Sequence, residues 1–145
     1  MDKKYALLIE IPKKDVKEEL GLFYKVAEKW GERLVWTYLV KHPDKIEPDL
    51  ELLGVGELYH PPLKKGQFHN LDLLFRRGNI YYPVEVKYDK LNWNQLYQEV
   101  TCFEQALINE RIQFDEIVPV LVVCREKGYN KQKFHWPEWW LGPLR

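Results

Sequence analysis

The chain has 145 residues, 46% of them hydrophobic, and its 22 basic residues balance its 22 acidic ones. This length predicts one domain with a buried core, and the neutral total argues against a broadly basic nucleic-acid surface while allowing a local basic patch. No apolar run is long enough to span a membrane, and the first residues lack a secretory pattern. Cys102 and Cys124 lie in apolar patterns that predict buried free thiols, so we expect a soluble cytoplasmic protein.

The first half of the chain is predicted to contain three strands and one helix. Residues 4–11 form a short strand that ends before Pro12, and residues 15–30 form a helix. The apolar positions of this helix are spaced by four, three, four and three residues, and they are Val16, Leu20, Phe23, Ala27 and Trp30. The runs 33–40 and 51–59 predict strands, with proline-containing loops after each.

The second half is predicted to contain a hairpin, a helix and a buried strand. The hairpin covers residues 70–87, and the helix runs from 92 to 111. One face of the helix is apolar, comprising Trp93, Leu96, Tyr97, Val100, Phe103 and Leu107. Residues 117–124 read IVPVLVVC and predict a buried strand despite Pro119.

The hairpin carries the most informative pattern of the chain. Gly78-Asn79 is a two-residue loop signal between apolar runs, and with this loop Asp72 lies opposite Glu85. Lys87 is two residues beyond Glu85 and therefore shares its face. The opposite face is apolar and pairs Leu71 with Val86, Leu73 with Val84 and Phe75 with Tyr82. A loop at Arg77-Gly78 would keep Asp72 and Glu85 on one side, whereas a slip of one residue would separate them.

Two opposed carboxylates indicate a site for a cation. They repel each other across the strands, and a divalent cation such as Mg²⁺ would offset that repulsion by taking hard oxygen ligands. Lys87 beside Asp72 and Glu85 could orient a water molecule or stabilise charge on phosphate oxygens. The competing interpretation is a charged solvent-exposed face on which Lys87 merely neutralises Glu85.

At these residues the chain resembles the PD-(D/E)XK nuclease superfamily, whose members carry an Asp on one hairpin strand and E-x-K on the next. The resemblance implies an α+β fold with a restriction-endonuclease-like core, in which helices flank a central mixed β-sheet in αβββαβ order. It implies that Asp72 and Glu85 bind Mg²⁺, for which Mn²⁺ can substitute, and that Lys87 is the catalytic lysine. The implied activity is that of a deoxyribonuclease, which hydrolyses phosphodiester bonds by metal-activated water. Leu71 stands where the family usually has Pro.

The resemblance also leads to expectations for the domain organisation and for further site residues. Residues 1–145 are predicted to be one domain with an insertion around 41–69 and an aromatic C-terminal tail over 125–145. Some family members carry Q-x-x-x-Y on the second helix, where this chain has Gln95 but Glu99 in place of Tyr. Gln95 is therefore interpreted as a surface glutamine, with a position against the active site as the alternative. A further acid upstream is expected to be Glu19 or Glu57.

DNA is the expected partner, bound through phosphate contacts from basic residues near the hairpin. The candidates are Lys64, Lys65 and Lys90, each of which is equally compatible with a solvated charged loop. The aromatic run 134–140 is expected to pack on the core of the domain, with base stacking or a homodimer contact as alternatives. The alternative function is a non-catalytic nucleic-acid or protein-binding module that retains the nuclease fold. A third is a small α+β interaction protein whose hairpin matches by chance.

Overall fold

The structure, a computed structural model, describes residues 5–27, 29, 31–56, 58–59, 71–88 and 93–135. Within these residues the chain is α+β, with one mixed sheet and helices against both of its faces. The strands are β1 (Tyr5–Pro12), β2 (Glu51–Val55), β3 (Leu58–Tyr59), β4 (Leu73–Arg77), β5 (Ile80–Tyr88), β6 (Glu116–Ile117), β7 (Val120–Arg125) and β8 (Asn130–His135). The helices are α1 (Lys13–Leu20), α2 (Leu22–Ala27), α3 (Gly31–Lys41) and α4 (Trp93–Asn109), with a short 3₁₀ turn at Pro43–Lys45.

The sheet combines an antiparallel and a parallel part. Its strand order is β3-β2-β4-β5-β7-β1-β8, and β6 pairs with the start of β5. Strands β2, β4 and β5 are antiparallel neighbours, whereas β5, β7 and β1 run parallel and β8 is antiparallel to β1. The connection from β5 to β7 contains α4, as a parallel pair requires a crossover. Strand β5 is therefore central, with β4 on one side and β7 on the other.

Both faces of the sheet are buried against helices. On one face, α1 and α3 cover alternate residues of β5, including Tyr82, Val84 and Val86. On the other face, α4 packs through the apolar positions predicted for it, of which Leu96, Val100 and Phe103 are buried. The sequence-based prediction of this helix and its buried face is confirmed.

The segment predicted as a strand over Arg33–Val40 is helical and forms most of α3. Its buried residues, Leu34, Val35, Tyr38 and Leu39, recur with helical spacing and join the core. The β-branched and aromatic residues suggested a strand, but packing of this stripe against the sheet decides its conformation. The strand that precedes the hairpin and pairs with it is instead β2, which lies within the segment 41–69 predicted as an insertion.

Glycine and proline interrupt three of the other predicted elements. The helix predicted over 15–30 is divided at Gly21, which has φ +52° and separates α1 from α2. The strand predicted over 117–124 is divided at Pro119 into β6 and β7, because proline cannot donate a ladder hydrogen bond. The strand predicted over 51–59 contains both β2 and β3, with Gly56 at φ +54° between them.

The two cysteines are free, as predicted, but only Cys124 is buried. Cys102 is exposed because it lies on the side of α4 that faces away from the buried positions Phe103 and Leu107. The prediction that both thiols are buried is therefore wrong for Cys102. None of the described helices combines the length and apolar character needed to cross a membrane.

Candidate functional site

The predicted hairpin register is confirmed. Arg77 pairs with Ile80, Phe75 with Tyr82 and Leu73 with Val84. Gly78 adopts φ +60°, the left-handed conformation that such a short loop requires. The same register places Glu85 and Lys87 on the α4 face of the sheet, where they neighbour Leu121 and Val123 of β7.

The backbone bends at Asp72, immediately before β4. The main-chain carbonyl of Asp72 accepts a hydrogen bond from the Gly56 N–H at 2.7 Å, and its carboxylate Oδ2 accepts one from the Val86 N–H, also at 2.7 Å. Because these contacts replace the regular ladder, strand alternation does not extend to Leu71. Leu71 packs into the α4-side core rather than on the face of Leu73, so its predicted position is wrong.

Glu85 lies at the centre of the site and is almost completely buried, with 1% of its surface exposed. The carboxyl groups of Glu99 and Asp72 both lie within hydrogen-bonding distance of it. Burial, followed by these two acidic neighbours, raises the pKa of Glu85 far above its ordinary value. Burial also raises the pKa of Asp72 and Glu99. The three side chains form a buried acidic cluster, which we call the carboxyl cluster.

Lys87 extends beside the carboxyl cluster and is held by α4. Its Nζ lies 4.0 Å from Glu85 Oε1 and donates a hydrogen bond to Gln95 Oε1. Gln95 Nε2 in turn donates to Glu99 Oε1 at 3.2 Å. Because Glu99 Oε1 accepts from the amide nitrogen of Gln95, the amide oxygen of Gln95 is left to accept from Lys87. Gln95 is thus part of the site rather than a surface glutamine.

Glu99 is a site residue that sequence reasoning missed. Gln95 and Glu99 are four residues apart on α4, a spacing that places both side chains on one helix face. That spacing was visible in the sequence, but a glutamate in place of the family's Tyr pointed away from a role. The structure brings Glu99 to Glu85, and its Oε2 is buried without a hydrogen-bond partner among the described residues.

A fourth acid, Glu32, approaches the site from the first turn of α3. Burial raises its pKa, while Lys87 lowers it and Asp72 raises it further, which places Glu32 within the electrostatic range of both groups. The start of α3 is close to the end of β5, since a Cβ on Gly31 would come within 3.0 Å of the Tyr88 ring. Glu32 was missed because its surroundings were predicted to lead into a strand rather than a helix.

Of the two acids considered earlier for this role, only Glu19 lies among the described residues. Glu19 contacts His42 at 3.2 Å and Lys41 at 3.9 Å, in an exposed cluster. Glu57 lies outside the described residues, as do the predicted phosphate-binding residues Lys64, Lys65 and Lys90. Of the aromatic run 134–140, Phe134 lies in β8 with its ring 5.9 Å from that of Trp93, in an edge-on contact, and residues 136–140 are outside the described part.

The donor chemistry of the carboxyl cluster fits a hard cation. In the described part of the chain, no three His, Cys, Asp or Glu side chains form a ready-made metal-binding group. However, Glu85 Oε2 and Glu99 Oε2 are buried and lack hydrogen-bond partners among the described residues. Carboxylate oxygens are the ligands that Mg²⁺ prefers, and its binding would displace the protons that burial favours on these groups.

The comparisons with known proteins do not assign the chain to a family. No family model matches it, and no curated protein is detectably similar in sequence.

Proposed function

We propose that the protein is a metal-dependent DNA nuclease of the PD-(D/E)XK type, acting inside the cell. The order of its elements supports this proposal. Helix α3 is followed by the antiparallel strands β2, β4 and β5, then by α4 and by β7, which is parallel to β5. With the two-residue strands β3 and β6 set aside, this order is compatible with the αβββαβ order expected of a restriction-endonuclease-like core. The candidate site lies on its central hairpin and its second helix.

The observation that carries the proposal is the convergence of the buried Asp72 and Glu85 with the half-buried Lys87. Acidic side chains are rarely buried unless they are paired, and here the nearest partners of Glu85 include two further carboxyl groups. Such an arrangement costs stability, and strongly perturbed acids of this kind concentrate at functional sites. Lys87 alone cannot neutralise the carboxyl cluster and Glu32 together.

Asp72 and Glu85 are the residues that would hold Mg²⁺, with the buried Glu99 adjacent. When bound, the cation would act as a Lewis acid on the phosphodiester and would lower the pKa of the attacking water. The protein itself contributes the Lys87 ammonium group, whose position is set by Gln95. Directed at a phosphate, this fixed charge stabilises negative charge that develops on the phosphate oxygens in the transition state.

The test is a cleavage assay on supercoiled and linear DNA with Mg²⁺, with Mn²⁺ and with a chelator. The wild-type protein should cut with either metal and not with the chelator. Glu85→Ala removes a metal ligand and should reduce the rate by ~10³-fold or more, which is the scale for a group acting directly on the transition state. Arg76→Ala, which removes a charge at the far end of the hairpin, is the control and should cut normally. Equal cutting by Glu85→Ala would contradict the proposal.

The second candidate is a binding module that retains the nuclease fold without catalysis. The observation that favours it is the near-complete burial of Glu85, because a metal ligand must be accessible to the metal. This candidate predicts no cleavage by wild-type protein under any metal condition, together with equal DNA affinity of the wild type and Glu85→Ala. Metal-dependent cleavage that is lost in Glu85→Ala would exclude it.

A further inference from the structure

Arg125 lies at the carboxyl end of β7, on the strand next to Lys87. Lys87 pairs with Val123 in the parallel register of β5 and β7, and Val123 faces α4. Arg125 is two residues beyond Val123, so strand alternation returns it to the face of Glu85 and Lys87. With ordinary strand spacings, its Cα is roughly 8 Å from that of Lys87. In sheets of this type, ligands bind outside the carboxyl ends of parallel strands.

Among the described residues, the guanidinium group of Arg125 has no acidic partner. Its Nε is buried without a hydrogen-bond partner, and no carboxylate among the described residues forms an ion pair with it. The adjacent Glu126 contacts Lys13 at 3.7 Å instead. In contrast, Arg76 donates twice to Glu51. A permanently charged group with an unsatisfied buried donor is costly, so the position of Arg125 calls for an acceptor from outside the described structure.

The charge of the neighbouring site indicates what that acceptor is. The carboxyl cluster and Glu32 together present four acids, with Lys87 as the cation beside them. A phosphodiester that lies beside this acidic site needs fixed positive charge from the protein. Arginine suits this role because its planar fork of donors matches phosphate oxygens and its charge cannot be lost.

We propose that Arg125 binds a backbone phosphate of the nucleic-acid strand, one position away from the phosphodiester that lies at Glu85 and Lys87. This inference rests on the proposed nuclease function and specifies where the substrate strand runs, across the ends of β5 and β7. It also supplies a phosphate contact within the described fold, separate from the lysines predicted from the sequence.

The experiment measures binding to a fluorescein-labelled DNA duplex by anisotropy over a range of salt concentrations. All proteins carry Glu85→Gln, so that bound DNA stays intact. Arg125→Met keeps most of the side-chain stem but removes the charge, Arg125→Lys keeps the charge but removes the Nε donor, and Arg76→Met is the matched control. Thermal unfolding of each variant establishes that it is folded.

For Arg125→Met we expect affinity to fall about 10-fold, as for loss of a charge-assisted hydrogen bond. The slope of log affinity against log salt should become shallower by about 0.9, the value for one phosphate contact. Arg125→Lys should retain the slope and lose only a few-fold in affinity, and Arg76→Met should match the parent. A purely structural role would change the melting temperature but not the slope.

An unchanged slope and affinity in a folded Arg125→Met variant would overturn the inference while leaving the nuclease proposal intact. Failure of the wild-type protein to bind or cut DNA would instead overturn the nuclease proposal, and the assignment of Arg125 with it.

Discussion

The two ends of the β4–β5 hairpin differ in the partners that their charged side chains have. At the tip, Arg76 pairs with Glu51 at 2.7 Å, and Arg77 donates to the Pro48 carbonyl and the Tyr82 hydroxyl. At the base, the carboxyl cluster brings three buried acids together beside Lys87. The same two strands thus carry one end whose charged side chains have hydrogen-bond partners and another end whose acidic side chains are buried against one another.

This difference between tip and base distinguishes residues that are compatible with a stable fold from residues that we assign to function. Exposed ion pairs such as that of Arg76 with Glu51 contribute little to the free energy of unfolding, and their residues can be substituted at little cost. Burial of acids against one another opposes folding, and such an arrangement is typical of sites where a ligand compensates the charge. The predictions below test this contrast, from the largest expected effect to the smallest.

The largest effect, after loss of Glu85 itself, is expected from Lys87→Ala. This change removes the ammonium group that Gln95 holds beside Glu85, and it should lower the cleavage rate by ~10²-fold or more. DNA affinity should change little, because phosphate contacts are assigned to other residues. Single-turnover cleavage and anisotropy would separate these two effects. A loss of binding as large as the loss of rate would show that Lys87 anchors the substrate instead.

A smaller effect is expected from Glu99→Gln. An amide at position 99 can donate as well as accept, so it no longer fixes the orientation of Gln95, and Lys87 loses its defined acceptor. We expect a loss of cleavage of about 10-fold, the lower range for residues that orient a metal site. Glu104→Gln on the same helix, outside the carboxyl cluster, is the control. Cleavage by Glu99→Gln at the wild-type rate would mean that the hydrogen-bonded chain has no role in positioning Lys87.

The stability of the metal-free protein should fall as pH rises. Burial raises the pKa of Asp72, Glu85 and Glu99 above their ordinary values of 3.8 and 4.5, so the folded state retains protons that the unfolded chain releases. The stability from these groups is fully present below about pH 4 and is lost as pH rises toward the folded pKa. Each carboxyl that keeps its proton contributes a slope of about 1.4 kcal/mol per pH unit.

Urea unfolding with a chelator, repeated from acidic to mildly alkaline pH, measures this slope. Glu85→Gln, which cannot ionise, should reduce the slope, whereas Glu51→Gln at the hairpin tip should leave it as in the wild type. Equal slopes in the wild type and Glu85→Gln would show that Glu85 is ionised in the folded protein.

The smallest effect is expected at the hairpin tip. Arg76→Ala removes the exposed pair with Glu51 and should change the free energy of unfolding by no more than about 1 kcal/mol. The double-mutant cycle with Glu51→Ala gives the coupling energy directly. A coupling energy well above that value would make the tip an energetic anchor of the hairpin and would weaken the contrast with its base.

Local patterns in the sequence determined the hairpin and the fourth helix. Gly78 next to Asn79 specifies a short turn, which sets the register, and strand alternation then places Glu85 and Lys87 on one face whatever the rest of the chain does. Likewise, the apolar spacing of α4 defines its buried side. Both signals depend on residues close in sequence, and for this reason they could be predicted.

The tertiary structure alone decided which residues complete the site and whether segment 33–40 is a strand or a helix. Segment 33–40 has strand-like composition but becomes helical because its apolar stripe packs on the sheet, and this change brings Glu32 to the hairpin. Glu99 reaches Glu85 only because α4 crosses over β5 on its way to β7. The surroundings of Arg125 depend on the pairing of β7 with β5. Contacts between residues far apart in the chain leave no periodic signal in it, so the fold had to bring these groups together before their chemistry could be recognised.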